Sequence, residues 1–308
     1  MKRDSKSRRL TYTLPILSAV SLLGTIALAQ NASIQTLQDL QAGAAKGDPE
    51  AEFLLGRAYD RGEGAPQDPG KAFDWYQKAA AQGNAKAENN LGSCYLNGSG
   101  VARDPVEAAQ WYRKSADQGA SLAQFTLGQL YANGIGVPKD IKQGAEWYRK
   151  AAEQGLLHAQ VRLGELDYFG DKDFPKDQAE ANKWIAKAAA QGNAWAENTL
   201  GVIYENGFGV KVDLKQAAGW YLEAAEQGDA KGQSDLGRLY AGGAGVEQSW
   251  PKAYAWLSLS AASGEITAKK LIESYQLNFT PDVVAEGKRL ADEYVKQVRS
   301  QAASKAQS

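Results

Sequence analysis

From Asp48 to Gly264 the apolar and polar positions of the chain recur with one period. Six units follow one another without gaps: 48–83, 84–119, 120–155, 156–192, 193–228 and 229–264. Five have 36 residues and the fourth has 37. Counted from the first residue of a unit, slots 4, 8, 11 and 12 are its apolar set. In the third unit these are Ala123, Leu127, Leu130 and Tyr131. At about 100° per residue they fall on one stripe of a helix. Asn133-Gly134-Ile135-Gly136 ends that helix, because glycine accepts the left-handed conformation of a helix C-terminus. Asp68, Asp104, Asp140, Asp177, Asp213 and Ser249 then open a second helix. Such a side chain caps free backbone N–H groups and stabilises the helix by about 1 kcal/mol. Pro69, Pro105 and Pro251 follow in the first turn, where a missing N–H does no harm. Asp104 with Glu107 and Asp177 with Glu180 are spaced as capping boxes. The second helix carries a Trp and small residues such as Ala151-Ala152, and ends at the last Gly of the unit. Each unit is thus predicted to be a helical hairpin.

Slot 8 is Leu55, Leu91, Leu127, Leu163, Leu200 or Leu236, each followed by Gly. A helical Gly costs up to about 1 kcal/mol, so its recurrence predicts a close helix approach. Trp75, Trp111, Trp147, Trp184, Trp220 and Trp256 mark the second helices. The layout A-x-x-x-L-G-x-x-Y-x-x-G-x-G-V-x-x-D…W-Y-x-K-A-A-x-x-G resembles the Sel1-like repeat family, relatives of the tetratricopeptide repeat, over residues 48–264. The resemblance implies an all-α, right-handed α/α solenoid of six helix-hairpin repeats, each stacked on the next. It also implies protein or peptide binding through a concave groove, in envelope adaptors, regulators or contacts with host factors.

Such an array needs caps for its apolar ends. A capping helix is expected in 30–47, and two more in 265–299, at 271–279 and 281–298, the latter capped by Thr280. The polar tail 300–308 is expected to be disordered. At the start, MKRDSKSRR precedes a mostly apolar run from Leu10 to Ala27, and Ala27-Leu28-Ala29 has the A-x-A form. Residues 1–29 are read as a secretory signal peptide, which places the protein in a periplasm or outside the cell. Membrane contact is expected only if that segment stays uncleaved.

The chain of 308 residues has 35 basic and 36 acidic side chains. Beyond the first nine residues the balance is 30 against 35, which argues against nucleic acid as a partner. One Cys and one His leave no intramolecular disulfide framework and few metal geometries; no cofactor is expected. Cys94 occupies an apolar slot and reads as a buried small hydrophobe. The G-x-G-V runs follow a helix rather than a strand and read as hairpin turns, not phosphate loops. Ser249-Trp-Pro-Lys252 matches S-x-x-K by letters, and some Sel1-like proteins are β-lactamase-like. An S-D-N or K-T-G partner is missing from the sequence. A cell-wall or β-lactam-related enzyme is therefore the first alternative, and a peptidoglycan or other glycan-binding module the second.

With no reaction centre, function falls to a surface. Slots 3, 6, 10 and 13 lie opposite the core stripe. In repeats three to five they supply Leu122, Phe125, Val161, Tyr168, Trp195 and Val202, with His158, Gln129 and Asn198 among them; Asn89 holds slot 6 of the second repeat. An apolar strip with a few polar groups, expected to face water, fits a protein or peptide partner. The bland reading is that Leu122, Val161, Trp195 and Phe125 pack on the preceding repeat. The resemblance to tetratricopeptide arrays, whose groove Asn residues hydrogen-bond an extended peptide backbone, implies the same role for Asn89 and Asn198. The fourth repeat departs from the pattern: Asp167 replaces the slot-12 Tyr, Ile185 the Tyr after the Trp, and 167–175 carries Tyr168, Phe169 and Phe174 without a G-x-G. It reads as either a bend or a contact loop.

Overall fold

The structure, a computed structural model, describes residues 37–305. The proposed leader and the start of the first capping helix lie outside the described residues. These contain fifteen helices and no strand. They group into two compact units that meet in sequence at Gln118 and Gly119.

The first unit holds α1 (37–45), then α2 (Pro49–Arg61), α3 (Pro69–Ala81), α4 (Ala85–Asn97) and α5 (Pro105–Asp117). These last four are the A and B helices of repeats one and two. Ala44 of α1 joins Ala51 and Leu55 in a small core, with Leu37 and Leu40 packed against it. α1 thus packs against the A helix of repeat one.

The second unit holds repeats three to six: α6 (Ser121–Asn133), α7 (Ile141–Glu153), α8 (Leu157–Phe169), α9 (Gln178–Ala189), α10 (Ala194–Asn206), α11 (Leu214–Glu226), α12 (Ala230–Gly242) and α13 (Trp250–Ala262). Two further helices close it, α14 (Ile266–Ser274) and α15 (Pro281–Lys305).

All six cap residues do what the sequence predicts. Asp140 Oδ1, for example, accepts from Gln143 N at 3.0 Å, and Ser249 Oγ from Lys252 N at 3.4 Å. The capping boxes form by halves only. The Asp104 N–H donates to the Tyr95 carbonyl and that of Asp177 to the Asp167 carbonyl, so neither is left for the glutamate. Glu180 instead accepts from Trp184 Nε1 at 3.0 Å. Slot-12 carbonyls take the cap N–H throughout, which ties the end of each A helix to the start of its B helix.

The slot-9 glycines lie where the B helix crosses. A Cβ on Gly56 would stand 2.7 Å from Tyr76 Cδ1, and one on Gly201 2.6 Å from Tyr221 Cδ1. The second glycine of the turn has another role. Gly100, at φ +74°, lies against the Pro69 carbonyl so closely that a Cβ would overlap it. The turns of repeats two, five and six pack in this way on the preceding B helix, Gly209 against Asn182 and Gly245 against Leu214.

A ladder of carboxamides runs through the repeats and was not anticipated. Slot 5 is Glu52, Glu88, Gln124, Gln160, Glu197 or Gln233, and every one is buried. The penultimate residue of the repeat reaches back to it. Gln82 Nε2 donates to Glu52 at 2.7 Å, Gln118 to Glu88 at 2.7 Å, Gln154 to Gln124 at 2.8 Å, Gln191 to Gln160 at 2.7 Å and Gln227 to Glu197 at 2.6 Å. In the sixth repeat that residue is Ser263. Burial raises the Glu88 carboxyl pKa despite the Gln118 bond.

The C-terminal caps differ from expectation. The helix expected at 271–279 is α14, from Ile266 to Ser274. Its cap Glu265 and buried Ala268 hold slots 1 and 4 of a truncated seventh A helix. Thr280 caps α15 as expected, accepting from Val283 N at 3.4 Å. That helix runs on to Lys305, past the start of the expected disordered tail. Gln301, Ala302, Ala303 and Lys305 are residues of high helix propensity and extend it. Tyr294 of α15 stacks on Trp256 with centroids 4.3 Å apart and planes at 8°.

Candidate binding surface

Slots 3 and 6 of neighbouring repeats meet. The Phe125 ring, slot 6 of repeat three, lies 6.1 Å from His158, slot 3 of repeat four. The same geometry appears within the first unit, where Lys86 Nζ stands 5.6 Å from the Phe53 ring centre and 3.0 Å from Glu50 Oε1. A-helix residues three apart face the same way, so successive repeats place these slots in one row.

The second unit sets the candidates at graded depths. Leu122 is 60% exposed and His158 is exposed. Phe125 is half-buried and packs on Tyr148, with centroids 5.5 Å apart. Val161, Tyr168 and Trp195 are half-buried against the core of Ala181, Ile185 and Leu200. Val202 rests in the same way on the core of Ala217 and Tyr221. Gln129 is half-buried, and its carbonyl accepts from Asn133 Nδ2. Asn198 is buried, at 8% exposure, and its Oδ1 has no hydrogen-bond partner among the described residues. In the first unit Asn89 is half-buried and donates to Asn90 Oδ1 at 3.2 Å. The strip expected to face water is therefore only partly exposed. Its apolar members double as the outer wall of the core because slot 6 lies over the B-helix Tyr.

The fourth-repeat loop is closed by Asp171 and Phe174, with Asp171 N donating to the Phe174 carbonyl at 2.7 Å. Phe174 packs on the core, whereas Phe169 is 57% exposed and meets Tyr168 edge-on at 5.0 Å. Asp167, in the Tyr slot, is 2% exposed. Burial pushes its carboxyl up to about 6, against the pull of Arg149. Cys94 is buried, and burial, then Asp60, push its thiol up to about 11. Ser249 serves as a helix cap, and Lys252 Nζ lies over the Tyr240 ring at 5.1 Å. Among the described residues no group of three or more His, Cys, Asp or Glu side chains is arranged to hold a metal. None of their helices is long and apolar enough to cross a membrane.

Tandem helical hairpins, with a side-chain row along the A helices, define an all-α repeat protein. The model of the Sel1 repeat matches residues 49–84, 85–119, 121–156, 157–193, 196–229 and 230–265. The chain belongs to the Sel1 repeat family, whose members generally mediate protein–protein interactions and are typically non-catalytic. It is similar to the crystal structure of a protective antigen present in uropathogenic Escherichia coli strains, which displays an SLR fold. Identity is 34% and the TM-score 0.71, over 89% of this chain and 59% of that one. The chain thus spans less than two thirds of that antigen's length. A Sel1 repeat protein from Oxalobacter formigenes is 35% identical with a TM-score of 0.62, over 76% of this chain and 68% of that one. Curated proteins yielded no match.

Proposed function

We propose that the chain is a non-enzymatic scaffold or regulator that binds a protein or peptide through the slot-3 and slot-6 row of repeats three to five. Its place is the periplasm or the cell exterior, as the basic-then-apolar start of the sequence implies, and its partner is a component of the envelope or its surroundings. The observation that carries the reading is Asn198. A buried amide oxygen without a partner is unfavourable by about 1–3 kcal/mol, and a peptide N–H that reached it on docking would supply the missing donor. Leu122 and His158 add exposed apolar and polar groups in repeats three and four of the same row.

The test is capture from envelope extract on the full chain, read by mass spectrometry. The control is a Leu122→Asp/His158→Ala variant, both sites being exposed. A protein held by the wild type and released by the variant supports the surface. A partner held equally by both, or none held by either, overturns it.

A further inference from the structure

The carboxamide ladder breaks at its last rung, and the acceptor left without its donor lines a cavity. In the two preceding Gln–Gln rungs the penultimate glutamine has two acceptors. Gln154 Nε2 donates to Gln124 Oε1 at 2.8 Å and to the Gly119 carbonyl at 3.0 Å. Gln191 Nε2 donates to Gln160 Oε1 at 2.7 Å and to the Gly155 carbonyl at 3.1 Å. The equivalent acceptors of the sixth repeat are Gln233 Oε1 and the Gly228 carbonyl. Gln233 is oriented as Gln160 is. Its Nε2 donates to the Ala225 carbonyl at 3.2 Å, as that of Gln160 does to Ala152 at 3.1 Å. Ser263 stands where the donor should, and its short side chain turns to the Leu259 carbonyl. Gln233 is only 7% exposed, and its Oε1 has no partner among the described residues.

Gln233 and Gly228 line a cavity of about 160 Å3 bounded by α11, α12, α13 and α15. Its other walls include Trp256, Leu259, Tyr294 and Val295. Leu259, Tyr294 and Val295 are half-buried, so the cavity reaches the surface. An apolar cavity of about 150 Å3 accommodates a benzene-sized ring.

We propose that this cavity is a binding site for a small neutral primary carboxamide on a body no larger than one ring. The amide NH2 takes the place of the missing glutamine, donating to Gln233 Oε1 and the Gly228 carbonyl. The ring lies against Trp256 and Leu259. The donor requirement comes from the acceptors, which oppose a carboxylate, and the size limit comes from the cavity. The site is separate from the slot-3 and slot-6 row and does not rest on the partner proposed there.

The experiment is ligand-detected NMR titration of the full chain with benzamide, acetamide and benzoate. A Ser263→Gln variant restores the missing rung from an exposed position, and circular dichroism checks its fold. Saturable benzamide binding is expected, at least about tenfold tighter than benzoate, the loss of about one hydrogen bond. Acetamide binds more weakly than benzamide, and Ser263→Gln weakens benzamide by a similar factor. No saturable benzamide binding in the wild type overturns the proposal, leaving the cavity as a hydrated defect. So does unchanged binding in a folded Ser263→Gln protein, or benzoate binding as tightly as benzamide.

Discussion

A Cβ built on Gly128 would lie 2.7 Å from Cδ1 of Tyr148 and 2.9 Å from the Gly144 carbonyl oxygen. α6 and α7 therefore touch at backbone distance, and the ring of Tyr148 fills the notch that the missing side chain leaves. Gly128→Ala must push the two helices apart. Overpacking of this kind is unfavourable by about 1–3 kcal/mol, which outweighs the gain of up to about 1 kcal/mol in helix propensity. Gly219 is the internal control, since nothing in the α11 environment lies within 4 Å of its would-be Cβ. Chemical denaturation should show Gly128→Ala destabilised and Gly219→Ala stabilised.

The ladder predicts a second loss. Gln191→Ala removes the donor from buried Gln160 Oε1 and from the Gly155 carbonyl. The expected cost is about 1–3 kcal/mol, read as a lower denaturation midpoint at unchanged slope. Gln191→Glu should not rescue it, because a carboxylate cannot donate.

Much of this fold was legible because helix caps, turn glycines and the Leu and Trp slots are set by local backbone chemistry. Asp140, Gly134 and Trp147 announce themselves without knowledge of their neighbours. The Glu/Gln at slot 5 and the penultimate Gln recur just as regularly, but their meaning is a contact across about thirty residues, and only packing reveals it. The start of α14 was misplaced for a related reason. Glu265 and Ala268 keep the slot-1 and slot-4 roles while the rest of the repeat pattern has decayed. The surface was less legible than the fold. Facing away from the Leu stripe does not mean facing water, since slot 6 sits over the B-helix Tyr, as Phe125 sits over Tyr148.

Asp167 makes stability depend on pH. Its carboxyl titrates near 6 in the fold, raised by burial from the ordinary value of 3.8. Between those values the folded protein holds a proton that the unfolded chain has released, so stability falls as pH rises through that window. The expected size is about 3 kcal/mol, from 1.36 kcal/mol per unit of pKa. Asp167→Asn keeps the shape and removes the charge. It should be about 3 kcal/mol more stable than wild type at pH 8 and nearly equal to it at pH 4. A difference that does not change with pH would show that the buried carboxylate is not what titrates.

Depth along the binding row decides which substitutions can report on binding. Leu122 is 60% exposed, so Leu122→Asp should shift stability by no more than about 0.5 kcal/mol. Phe125 is in ring contact with both Tyr148 and His158. Phe125→Asp loses that packing and sets a charge on the core wall, for a cost of about 2–4 kcal/mol. Trp195→Asp should behave like Phe125→Asp, because Trp195 packs on the core of Ala181 and Leu200. Thermal denaturation of the three single variants separates the two classes. If Leu122→Asp unfolds as readily as Phe125→Asp, the exposed end of the row is itself structural, and loss of a partner in that variant would carry no information about binding. If it melts with the wild type, any partner it fails to hold was bound by the surface and not merely by a folded chain.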